Sequence, residues 1–250
     1  MITTNLTGGL GNYLFQIGAA ETLAYLNDDS TIFKFDNSVG QAHKNINKYS
    51  DNILRKVNVG NPNSKQMYNE PGDFTFQKIP YGTDLVLNGY FQTEKHLDRD
   101  YILELYEIPE LTKSYIENKY KHLYTTGTDY VSIHVRRGDY VNKQDRHPCQ
   151  TMEYYNSAMM NFPVFEYTFK FLIFSDDIEW CKENFRGEQF IFIDGEEDYV
   201  HNIIANSTFS WWGTYLNTNI HKKVVAPTNW FGTGKRLKTE NIYNDKWTVI

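Results

Sequence analysis

The first run in which apolar positions set the pattern is Met1–Leu6, and a glycine-rich turn, Gly8-Gly9-Leu10-Gly11, follows it at once. After the turn, Leu14, Ile17, Ala20, Leu23 and Ala24 recur at the three- and four-residue spacing of a helix with a buried face. Strand, glycine turn and helix in that order open an α/β unit. Thr31–Phe35 reads as a second strand. From Asp36 to Gly82 the chain is rich in Asn, Lys, Ser, Gly and Pro, which predicts long loops with weak elements. Asp84–Asn88 has the character of another buried strand, and helices are expected over His96–Tyr106 and Thr112–Leu123.

Tyr124-Thr125-Thr126-Gly127-Thr128 is polar and turn-prone, and it divides the chain into expected halves at 1–125 and 126–250. Beyond it, strands are expected at Tyr130–Val135, Phe169–Phe174, Gln189–Ile193 and Lys223–Ala226. Helices fall between them, near Met152–Asn161, up to about Asn184, and over Phe209–Leu216. Asn202–Ala205 is a short apolar segment, and the tail is expected to be irregular. Strands alternating with helices imply parallel sheets, in which ligands bind beyond the carboxyl ends of the strands.

Composition adds bounds. The chain has 250 residues, 40% apolar and 16% aromatic, enough for a packed core. Lys and Arg total 25 against 31 for Asp and Glu, a net charge of −6. A nucleic-acid binder usually carries a basic face, so that class is excluded. An anionic ligand must instead be held by a few placed cations. Cys149 and Cys181 are far apart and have no metal-ligand spacing. MITTNLTGGLGN lacks the basic flank and apolar run of a signal peptide. No apolar stretch reaches the ~18 residues of a membrane span. The expectation is a cytoplasmic protein with at most peripheral membrane association. The sequons at Asn5 and Asn206 would matter only in a secreted chain.

The strongest chemical signal is His134-Val135-Arg136-Arg137-Gly138-Asp139-Tyr140 at a strand exit. A guanidinium is a planar fork suited to phosphate oxygens, and its bonds to a leaving diphosphate strengthen as the group departs. Asp139 is expected to hold one arginine while the other meets the ligand; a solvated turn with an internal Arg–Asp pair is the structural alternative. Alternation along an extended segment puts Arg136 on the face of His134 and leaves Arg137 to Asp139. Asn206-Ser207-Thr208, with Ser210 one turn on, precedes an apolar helical run. These residues suit N-capping, and the same geometry offers backbone N–H groups to an anion. Trp211 and Trp212 are expected in the core. Ser175-Asp176-Asp177, again at a strand exit, either reads a ribose or base edge or caps the next helix. Asp98-Arg99-Asp100 has the D-x-D form of a metal-dependent glycosyltransferase, but it opens a predicted helix, where acidic residues suit the dipole.

Gly8-Gly9-Leu10-Gly11-Asn12-Tyr13-Leu14-Phe15-Gln16, HVRRGDY at 134–140 and IIANSTFSWWG at 203–213 together resemble the α-1,2-fucosyltransferase family, glycosyltransferase family eleven. The resemblance runs from residue 8 to about 230. It implies an inverting, metal-independent enzyme with no cofactor, built as two Rossmann-like halves facing across a cleft, the GT-B arrangement. GDP-β-L-fucose would be the donor and a galactose-containing glycan the acceptor, linked α through its 2-hydroxyl. In that reading Arg136 meets the diphosphate, His134 lies near the nucleoside, and Asn206, Ser207, Thr208 and Ser210 serve the donor. Gly9, Gly11 and Asn12 would shape the acceptor side. The chain is short for the family, and Glu196–His201 runs almost directly into Ile203, so Asp198, Glu197 and Asp177 all stand as readers of the nucleobase. Asp139 is expected to orient the arginines, with Asp145 a candidate base beside His147 and the leaving phosphate. A different donor or linkage on the same scaffold is the alternative within enzymes. A glycan-binding module without catalysis is the alternative outside them, though neutral sugars give two arginines nothing to hold.

Overall fold

The computed structural model describes residues 1–35, 46–123, 128–162, 168–193, 202–233 and 237–250. It is an α/β protein whose sheets are parallel throughout. The chain divides into two units, Met1–Tyr124 with Lys238–Ile242, and Thr125–Leu237 with Tyr243–Ile250. A piece of the tail thus belongs to the first unit: Lys238 donates its N–H to the carbonyl of Asp73 (2.9 Å) and its ammonium meets the Asp73 carboxylate (3.2 Å).

In the first unit, strand β1 (Ile2–Thr4) passes through the glycine turn into helix α1 (Leu10–Tyr25). Gly8 sits at φ +92°, where a side chain is strained, and a Cβ there would run into the side chain of Asn12. Helix α1 buries residues on every side, Leu14, Phe15, Ile17, Ala20 and Ala24 among them, so it is a core helix. Its buried polar residues are satisfied. Gln16 accepts from the Thr7 N–H and donates to the Gly89 carbonyl, and Glu21 accepts from the hydroxyls of Thr31 and Tyr101. Strands β2 (Gln66–Asn69) and β3 (Leu85–Asn88) complete a sheet of order β1-β3-β2. The strand expected at Thr31–Phe35 is reduced to two isolated bridges, Ile2 with Thr31 and Phe33 with Val59. The Thr31 carbonyl accepts from the side-chain amide of Asn58 (3.0 Å). Helices α2 (Arg99–Leu105) and α3 (Glu110–Lys119) follow, each shorter than its expected span and each flanked by a 3-10 turn, Glu94–His96 before α2 and Lys121–Leu123 after α3. Asp98 is the N-cap of α2, accepting from the Tyr101 N–H at 3.0 Å.

The second unit runs β4 (Thr128–Val135), α4 (Met152–Met159), β5 (Thr168–Ser175), α5 (Ile178–Asn184), β6 (Phe190–Ile193), β7 (Asn202–Ile203), α6 (Thr208–Leu216), β8 (Val224–Ala226) and β9 (Thr248–Val249). Its sheet has the order β6-β5-β4-β7-β8-β9. The last strand departs from the irregular tail expected: Val225 and Ala226 pair with Thr248 and Val249. The core gathers Val131, Ile133 and Val135 with Phe171, Ile173, Ile203 and Val225, covered by Tyr155, Ala158, Cys181 and Phe185. Burial there pushes the Cys181 thiol up to about 11, so it is inert packing. No described helix is long and apolar enough to cross a membrane.

Candidate functional site

Strand β4 alternates as a half-buried strand should: Val131, Ile133 and Val135 face the core, while Ser132 and His134 point the other way and are partly exposed. Val135 lies opposite Ser175 in the parallel register with β5, so the arginine loop leaves the sheet beside Asp176 and Asp177. Arg136 pairs through Nη1 with Asp176 and through Nη2 with Asp139, and its guanidinium lies over the Tyr140 ring at 4.9 Å. Each of those carboxylates has a second donor: Lys143 reaches Asp139 at 2.8 Å, and the backbone N–H of Arg137 reaches Asp176 at 2.8 Å. Arg137 is held differently. Its Nε donates to Asp177 at 2.9 Å, and its guanidinium lies 4.0 Å over the Trp180 ring. A Cβ at Gly138 would meet the carboxylate of Asp176, which would have to shift to admit it.

The expected pairing of Arg137 with Asp139 is therefore corrected. Beyond Val135 the chain leaves the extended form, and the 3-10 turn Gly138–Asn142 folds Asp139 back onto the residue three before it. Asp177 and Ser175 are also drawn into the scaffold. Asp177 caps α5, accepting from the Trp180 N–H (3.3 Å), and the Ser175 hydroxyl donates to the Val135 carbonyl while accepting from the Asp177 N–H. Asp145 stands outside the cluster, 74% exposed and 3.9 Å from its neighbour Arg146. Asp198 and Glu197 lie outside the described residues. Lys143, which the motif reading passed over, and Asp176, read there only as part of the Ser-Asp-Asp segment, are at its centre. The signal for Asp176 was two strands of equal length ending in Arg-Arg-Gly-Asp and Ser-Asp-Asp, but only the register makes them neighbours.

His134 has a buried Nδ1 with no hydrogen-bond partner, and its ring packs against Phe209 at 5.7 Å. Burial, helped by the charge of Arg136, pushes its pKa down to about 3, so the ring is neutral near pH 7. The hydroxyl-rich segment reaches the same strand ends. Tyr140 donates its hydroxyl to the Asn206 carbonyl (3.3 Å), tying the arginine loop to it. Within the segment the roles are unequal. Asn206 is buried, accepting from the Gln150 amide and donating to the Trp230 carbonyl. Ser210 bonds back to the carbonyls of Ala205 and Ser207. Both side chains are thus spent on the scaffold. Ser207 occupies the N-cap position of α6 but makes no side-chain capping bond, and Thr208 is the first helical residue, half-buried. Trp211 and Trp212 are core, 1% and 2% exposed.

Gly9, Gly11 and Asn12 belong to the first unit. Gly9 is the N-cap of α1 with open space where a Cβ would stand, Gly11 is buried, and Asn12 accepts from the Gln92 amide at 3.0 Å. Among the described residues no three of His, Cys, Asp or Glu gather as ligands for a metal ion.

Comparison with known proteins gives this arrangement a context. A search of solved structures finds the fucosyltransferase NodZ from Bradyrhizobium, at 9% identity and a TM-score of 0.47 over 77% of each chain. Among curated proteins, the chain is 28% identical to the O-antigen biosynthesis glycosyltransferase WbnK of Escherichia coli, over 97% of this chain and 98% of that one. It is also 28% identical to an alpha-1,2-colitosyltransferase of Escherichia coli, over 100% and 99%. The family model described as glycosyl transferase family 11 matches residues 1–250. With its sequence matched from end to end and its arginine, Ser-Asp-Asp and Asn-Ser-Thr segments brought to the ends of neighbouring parallel strands, the chain belongs to glycosyl transferase family 11 and is a glycosyltransferase.

Proposed function

We propose that the enzyme transfers L-fucose from GDP-β-L-fucose to the 2-hydroxyl of a galactoside, with inversion, and that it does so in the cytoplasm without a metal. The observation that carries the donor side is the unequal holding of the two arginines. Arg136 can leave Asp139 and Asp176 for a diphosphate without stranding either carboxylate, because Lys143 and the Arg137 N–H remain on them. Arg137 is fixed by Asp177 and Trp180 and serves as a wall. A guanidinium on the leaving diphosphate supplies the positive charge that a metal provides elsewhere. Asp98, the first acid of the D-x-D match, caps α2, in keeping with a reaction that needs no metal.

Around that contact, His134 presents a neutral ring toward the nucleoside, and the open cap of α6 at Ser207 and Thr208 offers backbone N–H groups to a phosphate. Asp139, with Arg136 and Lys143 on its oxygens, orients the loop. The incoming hydroxyl needs a proton acceptor opposite the leaving group, for which the loop carboxylate Asp145 is the candidate.

A second reading has its own support. A relative covering the whole chain is named an alpha-1,2-colitosyltransferase, so a colitosyl donor on the same scaffold competes with fucosyl. A thermal-shift panel with a turnover assay beside it tests both. GDP and GDP-fucose should raise the melting temperature by linkage, and UDP much less. Equal stabilisation by GDP and UDP would remove the guanine-nucleotide donor, and turnover with GDP-colitose but not GDP-fucose would select the second reading.

A further inference from the structure

Beside the Arg136 cage stands a histidine that the donor contacts do not use. The His147 ring is half-buried and stacks on the Tyr140 ring, with 4.8 Å between centroids and 21° between planes. The Arg136 guanidinium lies over that same Tyr140 ring at 4.9 Å, and the Tyr140 hydroxyl is anchored on the Asn206 carbonyl. His147 and Arg136 therefore share one aromatic support.

The loop that carries His147 holds it in place. Its N–H donates to the Lys143 carbonyl (2.8 Å), and the Gln144 side chain clamps Cys149, accepting from its N–H and donating to its sulfur at 3.0 Å each. From outside the loop, Gly232 donates its N–H to the Arg146 carbonyl (3.0 Å). A Cβ at Gly232 would meet the Asp145 backbone, so a side chain there would push the loop away.

Charge decides what a ring in that place can do. Of the charged groups that face it, Asp139 favours the imidazolium, whereas Lys143, Arg136 and Arg146 oppose it. Burial, helped by those cations, holds the His147 pKa below its ordinary 6.5, so the ring is neutral near pH 7. A diphosphate on Arg136 reverses this balance, because it brings negative charge to the very group whose surplus of cations keeps the proton off.

We infer that His147 takes up a proton from solvent when a diphosphate binds at Arg136, and then supplies a second positive charge to the leaving group. The inference rests on the donor reading, in which Arg136 meets the diphosphate, and adds a residue to which that reading gives no role.

NMR of the histidine rings, assigned through the backbone of the whole chain, is the test, with GDP as the probe. Saturating GDP should move the His147 titration midpoint up by about one pH unit, the size expected for negative charge a side chain away at a protein surface. By linkage, the protonated form then binds GDP about tenfold more tightly. His147→Phe keeps an aromatic ring on Tyr140 and removes the proton. It should melt close to the wild type, bind GDP several-fold more weakly at about pH 5.5, and match the wild type at about pH 8. The terminal phosphate of GDP itself titrates near pH ~6, equally for both proteins, so the comparison cancels it. A His147 that only packs gives an unmoved midpoint and a Phe variant that follows the wild type at both pH values; either result, with GDP bound, overturns this inference alone. No GDP binding at any pH overturns the donor reading and this inference with it. Should His147→Phe fail to fold, the NMR midpoint decides.

Discussion

Replacing each of the two adjacent arginines tests the proposed division between ligand binding and scaffold, and the contacts of each arginine set the expected stability cost. Arg136→Ala removes two ion pairs, but its side chain is 21% exposed and both carboxylates keep another donor. The stability cost should stay near ~1 kcal/mol, as for partly solvated pairs. Arg137→Ala removes a charge-assisted bond to Asp177 and a cation–π contact with Trp180 at 4.0 Å. It also loosens the residue that caps α5. Those losses sum to roughly 2–3 kcal/mol. At about 2–4 °C per kcal/mol for a chain of this size, Arg137→Ala should melt several degrees below Arg136→Ala. Function should run the other way. Loss of a charge-assisted diphosphate contact costs about 1.5–3 kcal/mol, or roughly 10- to 150-fold in GDP affinity, and more in kcat if the bond tightens on the departing phosphate. Arg136→Lys keeps the charge without the fork and should recover little. Calorimetric GDP titrations, steady-state kinetics and melting curves on the three variants give the comparison. If Arg136→Ala keeps near-normal affinity and turnover while folded Arg137→Ala is inactive, the two roles are reversed.

If the charge at Arg136 stands in for a metal as proposed, activity should survive EDTA; loss on chelation with recovery in Mn²⁺ would return Asp98 and Asp100 to consideration as ligands. His134 has its folded-state pKa depressed to about 3, so between there and the unfolded value near 6.5 only the unfolded chain takes up the proton. Stability should therefore fall as pH drops below about 6.5 toward 3, and melting curves of His134→Gln should show a shallower fall; identical slopes would mean the ring is not buried neutral. Gly138→Ala puts a Cβ against the Asp176 carboxylate, which must shift, and should loosen its hold on Arg136 and lower turnover in kinetics on folded protein; unchanged turnover would mean that Asp176 yields without moving the guanidinium.

Much of the molecule was legible in the order of its residues. Period and punctuation located the glycine turn into α1, the strand before the arginines and the short helix carrying the paired tryptophans, because each depends on neighbours within a few positions. Asp98 was readable as a cap for the same reason. Elements that depend on a distant partner were not. Thr31–Phe35 has strand composition, yet only single residues of it find distant partners, Thr31 at Ile2 and Phe33 at Val59. Thr248–Val249 has no signal of its own and becomes a strand only because Val225 and Ala226 lie beside it. The site divides along the same line. Sequence alone gathered His134, the arginines, Ser-Asp-Asp and Asn-Ser-Thr as chemistry-bearing segments. Which carboxylate holds which arginine was decided by the register of β4 against β5 and by the turn that folds Asp139 back to Arg136, both properties of the packed sheet. Asn206 and Ser210 show the limit most plainly: their side chains suit a ligand equally well on paper, and only burial against Gln150, Trp230 and the Ala205 carbonyl commits them to the scaffold.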